Sequence, residues 1–141
     1  MENINALDEI HKGCCMGIDA ISYTIDKVED KSLKKELEKE KKNYEIIKSK
    51  IEKIYPNYND GKPHETNIVT KTMTKMGVDM KTLNDKSNSK ISELILQGIN
   101  MGIIEGRKIL NNKKINNEVE ELMDNYVKMQ EESVEVLKKY L

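Results

Sequence analysis

The sequence predicts an all-α fold: a four-helix bundle made of two related helical hairpins, joined by a long crossover that carries a short extra helix. Three observations lead there. Apolar residues recur at alternating steps of three and four along four long stretches, the period of a helix with one face turned inward. Only two prolines and seven glycines occur in 141 residues, too few turn-formers for a many-stranded fold. The first apolar stretch is also echoed by the third. At one common offset, Ile10, Gly13, Met16, Gly17 and Ile18 fall on Ile95, Gly98, Met101, Gly102 and Ile103.

Residues 3–29 read as the first helix, with Ile4, Leu7, Ile10, Cys14, Ile18, Ile21, Ile25 and Val28 on its inner stripe. Asp30-Lys31-Ser32 interrupts the stripe and offers an N-cap to the second helix, expected over 32–55. There Leu33, Leu37, Glu40, Tyr44, Ile47, Ile51 and Ile54 continue the pattern, with Glu40 its one charged member. Pro56 stops this helix, and Asn57-Tyr-Asn-Asp-Gly61 is turn chemistry. Pro63 can open a shorter helix, whose stripe is Val69, Met73, Met76, Met80 and Leu83. Asn84–Ser89 reads as a loop that caps the next helix.

The third helix, 89–111, organises the chain. Ile91, Leu94, Ile95, Gly98, Met101, Gly102, Glu105, Ile109 and Leu110 are expected on its inner surface. The fourth, 115–140, places Ile115, Val119, Leu122, Tyr126, Met129, Ser133, Val136 and Tyr140 inward. Helix two is rich in lysine and helix four in glutamate, so the two are complementary as neighbours. Exposed pairs of this kind give only ~0.2–1 kcal/mol each.

The expected organisation is therefore one domain, 1–141: hairpin one over 3–55, the crossover over 56–88 and hairpin two over 89–141. The echo extends to Leu37 with Leu122, Ile51 with Val136 and Tyr55 with Tyr140. Two related hairpins with a single long crossover is the ferritin-like construction. On the hairpin repeat, the Ile-x-x-Gly-x-x-Met-Gly-Ile element and the helical crossover, the chain resembles small bacterial ferritin-like four-helix proteins of an uncharacterised domain family. That resemblance implies a fold and leaves the biochemical role open.

The chemistry expected of a di-iron protein is not in the sequence. Such sites use a Glu from each of two helices and Glu-x-x-His from the other two. Helices two to four contain no histidine. The nearest remnants are Glu40-x-x-Asn43, Glu105 and Gln130-x-x-Ser133, and the repeat partner of Glu105 is Ala20. No cofactor is expected, and no di-iron centre. Glu40 and Glu105 are expected at boundary positions, snorkelling or paired with a lysine, since Glu is rarely fully buried; the alternative is a shared buried polar site that also draws in Tyr44 and Gln130. The candidate metal ligands are Glu40 and Glu105, and His11 with Cys15, one helical turn apart. Two ligands do not close a metal site. Cys14 and Cys15 are adjacent on a helix and point about 100° apart, which disfavours a disulfide between them. His64, after Pro63, reads as a solvated residue.

No phosphate-binding glycine loop, nucleophile elbow or HExxH occurs, so a non-enzyme is expected. Net charge is −1, which favours neither nucleic acid nor an anionic membrane. No apolar run approaches the ~20 residues of a bilayer span, and the start of the sequence shows no signal-peptide pattern, so a cytoplasmic setting is expected. The glycines ask for a reason. Gly13 and Gly17, and then Gly98, Gly102 and Gly106, recur at one-turn spacing inside helices, where each costs ~1 kcal/mol relative to Ala. The expectation is that helices one and three pack on each other through them, with Met16 and Met101 flanking. The alternative is that the glycines clear space for a ligand or a second subunit. The function expected is binding: of a protein partner, of a second copy in a homo-oligomer, or of an apolar ligand. The rival is a degenerate ferritin-like metal or redox protein using Glu40 and Glu105.

Overall fold

A computed structural model of the chain describes residues 2–58, 71–112 and 114–141. Five α-helices pack against one another: α1 (Glu2–Thr24), α2 (Lys31–Ile54), α3 (Lys71–Lys81), α4 (Asn88–Asn112) and α5 (Asn117–Leu137). Among the described residues there is no strand. The four long helices fall where the apolar periodicity places them. The α1 helix ends earlier than its stripe because the chain tightens into a 3₁₀ turn, Ile25–Lys27, before Val28 turns extended. Asp30 is the residue that caps α2, accepting from the Leu33 amide at 2.9 Å. Ser87 caps α4, accepting from the Lys90 amide at 3.2 Å. The start of the short helix at Pro63, and His64, lie outside the described residues.

Side-chain contacts fix the direction of each helix. Asp8 accepts from the Tyr55 hydroxyl at 2.9 Å and His11 meets Glu52 at 3.1 Å, so α2 runs back along α1. Ser32 meets Tyr140, Tyr44 meets Gln130 and Tyr58 meets Glu118, so α5 runs back along α2. Gly102 faces Gln130 and Gly106 faces Val127, so α4 and α5 are antiparallel too. The α1 and α5 helices therefore run the same way, as do α2 and α4. Two like-directed helices cannot be joined by a tight turn. A connection that returns the length of a helix of more than twenty residues, at ~1.5 Å each, is required.

Contacts of α1 with α2, α2 with α5, α5 with α4 and α4 with α1 close a ring. The core inside it is aliphatic and tyrosine-based, with Leu7, Ile10, Leu37, Ile51, Ile91, Val119, Val127 and Leu137 among its most buried members. The α3 helix lies against α1 and α4. It buries Met76 and Met80, and the chain just beyond it buries Leu83. Lys27 donates to the Met80 carbonyl at 2.8 Å, and Lys81 sits 4.9 Å over the Tyr23 ring.

The expected charge matching takes a different form. Among the described residues no ion pair joins α2 to α5; tyrosine and serine hydroxyls make the cross-helix bonds instead. The ion pair between α4 and α5, Arg107 with Glu131 at 2.9 Å, is half exposed on both sides and contributes little.

Candidate functional site, a cavity walled by glycines

The glycine faces of α1 and α4 do not rest mainly on each other. Built onto Gly13, a Cβ would collide with the Tyr126 hydroxyl; on Gly17 it would stand 2.5 Å from the Tyr44 ring. At Gly102 it would collide with the Gln130 amide and approach the Tyr126 hydroxyl to 2.8 Å, and at Gly106 it would meet Val127 at 2.5 Å. The absent side chains thus seat large ones arriving from α2 and α5. This corrects the expected backbone-to-backbone approach of α1 and α4. The physical reason is size: Tyr44 and Tyr126 cannot enter the middle of the bundle unless two facing turns are pared to backbone.

Gly98 is the exception. Its nearest neighbours are the Met76 sulfur at 3.2 Å and the Met76 methyl at 3.9 Å, a flexible tip from α3. Beside it opens a cavity of about 300 Å³. All five of these glycines border it, along with the four methionines Met16, Met76, Met101 and Met123. Ile10, Ile21, Ile95, Ile99 and Ile109 add apolar wall. The volume is about twice the ~150 Å³ of an apolar cavity that admits benzene, at the lower end of the range of small-molecule sites. The charged residues on the lining, Glu9, Lys12 and Glu105, are all partly or well exposed and so belong to its mouth.

One part of the lining is polar and buried. The Tyr44 hydroxyl donates to Gln130 Oε1 at 3.1 Å, and the Tyr44 and Tyr126 rings lie 6.4 Å apart at a 60° tilt. Burial raises the pKa of both phenols, so both are hydroxyl donors at neutral pH. Gln130 is 1% exposed and stands beside the Tyr126 hydroxyl, yet its Nε2 has no partner in hydrogen-bonding geometry. The sequence pointed to Gln130 as a remnant of a metal motif and as a candidate buried polar partner of Tyr44; the structure joins these two but not as part of a metal site.

The acidic candidates separate. Glu40 is 1% exposed on α2, and neither of its carboxyl oxygens has a hydrogen-bond partner. Burial pushes its carboxyl up to about 9, and Glu36, one turn earlier, adds to the shift. It is therefore a neutral acid at pH 7. Glu105 is exposed and pairs with Lys108 at 3.5 Å, so the alternative of a buried site shared with Glu40 does not form. The buried position of that turn belongs to Gly106 instead.

His11 and Cys15 do meet, with Cys15 Sγ 3.8 Å from His11 Nδ1. The other ring nitrogen, Nε2, faces Glu52. These contacts use opposite sides of one imidazole, so thiol and carboxylate do not converge on a point as metal ligands must. Among the described residues no group of three or more His, Cys, Asp or Glu side chains is placed to hold a metal ion. Cys14 is buried, and burial raises its pKa; no disulfide links it to Cys15. No helix among the described residues is long and apolar enough to cross a membrane. Comparison with protein-family models, curated proteins and solved structures finds no match to this chain.

Proposed function

We propose that the protein is a non-enzymatic, ferritin-like helical bundle that binds a small apolar molecule in the cavity between α1 and α4. The course of the long helices, two like-directed pairs with one long crossover, supports the ferritin-like reading. The observation that carries the ligand reading is the cavity itself. Five helical glycines and four methionines border about 300 Å³ of space beside the bundle core. Several of those glycines are accounted for by the tyrosines and the glutamine they seat. Gly98 is not: nothing but the tip of Met76 lies within 4 Å of the position its Cβ would take. A helix that accepts the ~1 kcal/mol cost of glycine and leaves the space unfilled has the form of a binding site. The methionine lining adds flexible, polarisable walls that adapt to a guest.

Methyl NMR tests the reading. With 13C-methyl methionine, titration of 2-acetonaphthone should shift Met16, Met76, Met101 and Met123 in a saturable way. Met129, which does not line the cavity, should stay in place. Unmoved cavity methyls would remove the ligand reading. Concentration-dependent shifts without ligand, matched by a dimer in sedimentation, would assign the glycine face to a second copy instead.

A further inference from the structure

The buried wall of the cavity is mainly apolar, with one buried donor left over. Gln130 is 1% exposed, lines the cavity and holds its Oε1 against the Tyr44 hydroxyl, while Nε2 finds no partner. A buried amide without a hydrogen bond is costly and asks for an explanation. Gly102 seats this amide: a Cβ there would collide with Oε1 and lie 2.9 Å from Nε2 and 2.8 Å from the Tyr126 hydroxyl. The amide and Tyr126 both border the cavity. Apart from Gln130 and the two tyrosines, the buried lining is methionine, isoleucine and glycine.

We infer that the ligand carries one uncharged hydrogen-bond acceptor, a ketone, quinone or ester carbonyl, on an otherwise apolar body, and that Gln130 Nε2 is the group that reads it. This rests on the ligand reading above. The acceptor end lies deep, against Gln130 and the Tyr126 hydroxyl; the apolar body lies along Gly98, Met76 and Ile99. A carboxylate is disfavoured because the lysine on the lining, Lys12, stands at the mouth and not beside the amide. A ligand offering only donors leaves Nε2 as it is.

Two probes of the same shape separate the possibilities: 2-acetonaphthone, and 2-isopropenylnaphthalene, in which a CH₂ replaces the carbonyl oxygen. Titration calorimetry on the wild-type chain should find the ketone bound about 3- to 10-fold more tightly, the value of one net hydrogen bond. Gln130→Met, close in shape, should erase that preference while retaining both probes. Tyr126→Phe and Tyr44→Phe should each keep a preference for the ketone. Equal binding of both probes to the wild type would overturn the acceptor inference and leave the cavity reading standing. Binding of neither would overturn the cavity reading itself. A preference that survives Gln130→Met and vanishes in Tyr126→Phe would transfer the reading role to the tyrosine and refute the assignment to Gln130. If Gln130→Met fails to fold, the wild-type comparison and the two tyrosine variants still decide.

Discussion

Alanine at Gly13 and alanine at Gly98 are the same chemical change one helix apart, yet the structure assigns them opposite effects. In a helix interior the added methyl is worth ~1 kcal/mol through reduced backbone freedom. At Gly13 that methyl meets the Tyr126 hydroxyl, with the ring carbon bearing it only 2.8 Å away. Tyr126 is 3% exposed and faces Tyr44, so its ring can give way only towards the cavity it lines. Overpacking of this kind costs ~1–3 kcal/mol, which cancels or exceeds the propensity gain. At Gly98 the first obstacle is the tip of Met76 at 3.2 Å, which a small rotation relieves, and most of the gain should survive. Gly98→Ala should therefore be more stable than Gly13→Ala by about 2 kcal/mol. Urea unfolding with unchanged m-values measures the difference. Tyr126→Phe, which deletes the nearest atom, should restore part of the loss at Gly13, and a double-mutant cycle isolates that coupling. Equal stabilities for the two alanine variants would mean that Tyr126 does not occupy the Gly13 seat, and the account of the glycine faces would fail with it.

Three further outcomes are expected. Glu40 titrates near 4.5 when unfolded and at about 9 when folded, so folding takes up a proton between those values and stability falls as pH rises from about 4.5 to 9. Glu40→Gln should flatten that fall and gain on the order of a few kcal/mol at pH 7; a parallel pH–stability curve in chemical denaturation would show that Glu40 is ionised in the fold. Cys14, buried and with its thiol pKa raised, should react with a maleimide only on unfolding; labelling of both cysteines in native protein, read by peptide mass spectrometry, would contradict its burial. The α3 helix should exchange its amides fastest of the five, because Val78 is half exposed and Gly77 has nothing within 4 Å of its Cβ position; protection equal to that of α1 would make it an integral part of the core.

The fold was legible because its signal is redundant. Each long helix repeats its apolar step six or more times, and a misplaced residue such as Glu105 does not alter the reading of the whole. Positions late in α4 were less legible. The seven-residue spacing from Ile91 and Gly98 puts Glu105 inward, whereas the structure buries Gly106 and leaves Glu105 exposed with Lys108. The glycines announced a close approach but not its partner. A missing side chain reports that something large is near, and its identity depends on which helix faces it. The tyrosines that fill two of the five seats, Tyr126 at Gly13 and Tyr44 at Gly17, could not be paired with them without knowing how the helices are directed. Gln130 was hardest to see, since its meaning lies in one amide proton pair left without an acceptor, and no sequence pattern records that.

The most direct test of the glycine-walled cavity as a binding site is calorimetric titration of 2-acetonaphthone into the wild-type chain and into Gly98→Leu. The leucine would enter past the tip of Met76 and fill the cavity beside α4, where the wild type leaves space. The account predicts saturable one-to-one binding to the wild type. It predicts at least a tenfold loss in Gly98→Leu, whose thermal unfolding remains cooperative. No binding heat with the wild type, or equal affinity in the filled variant, would contradict it.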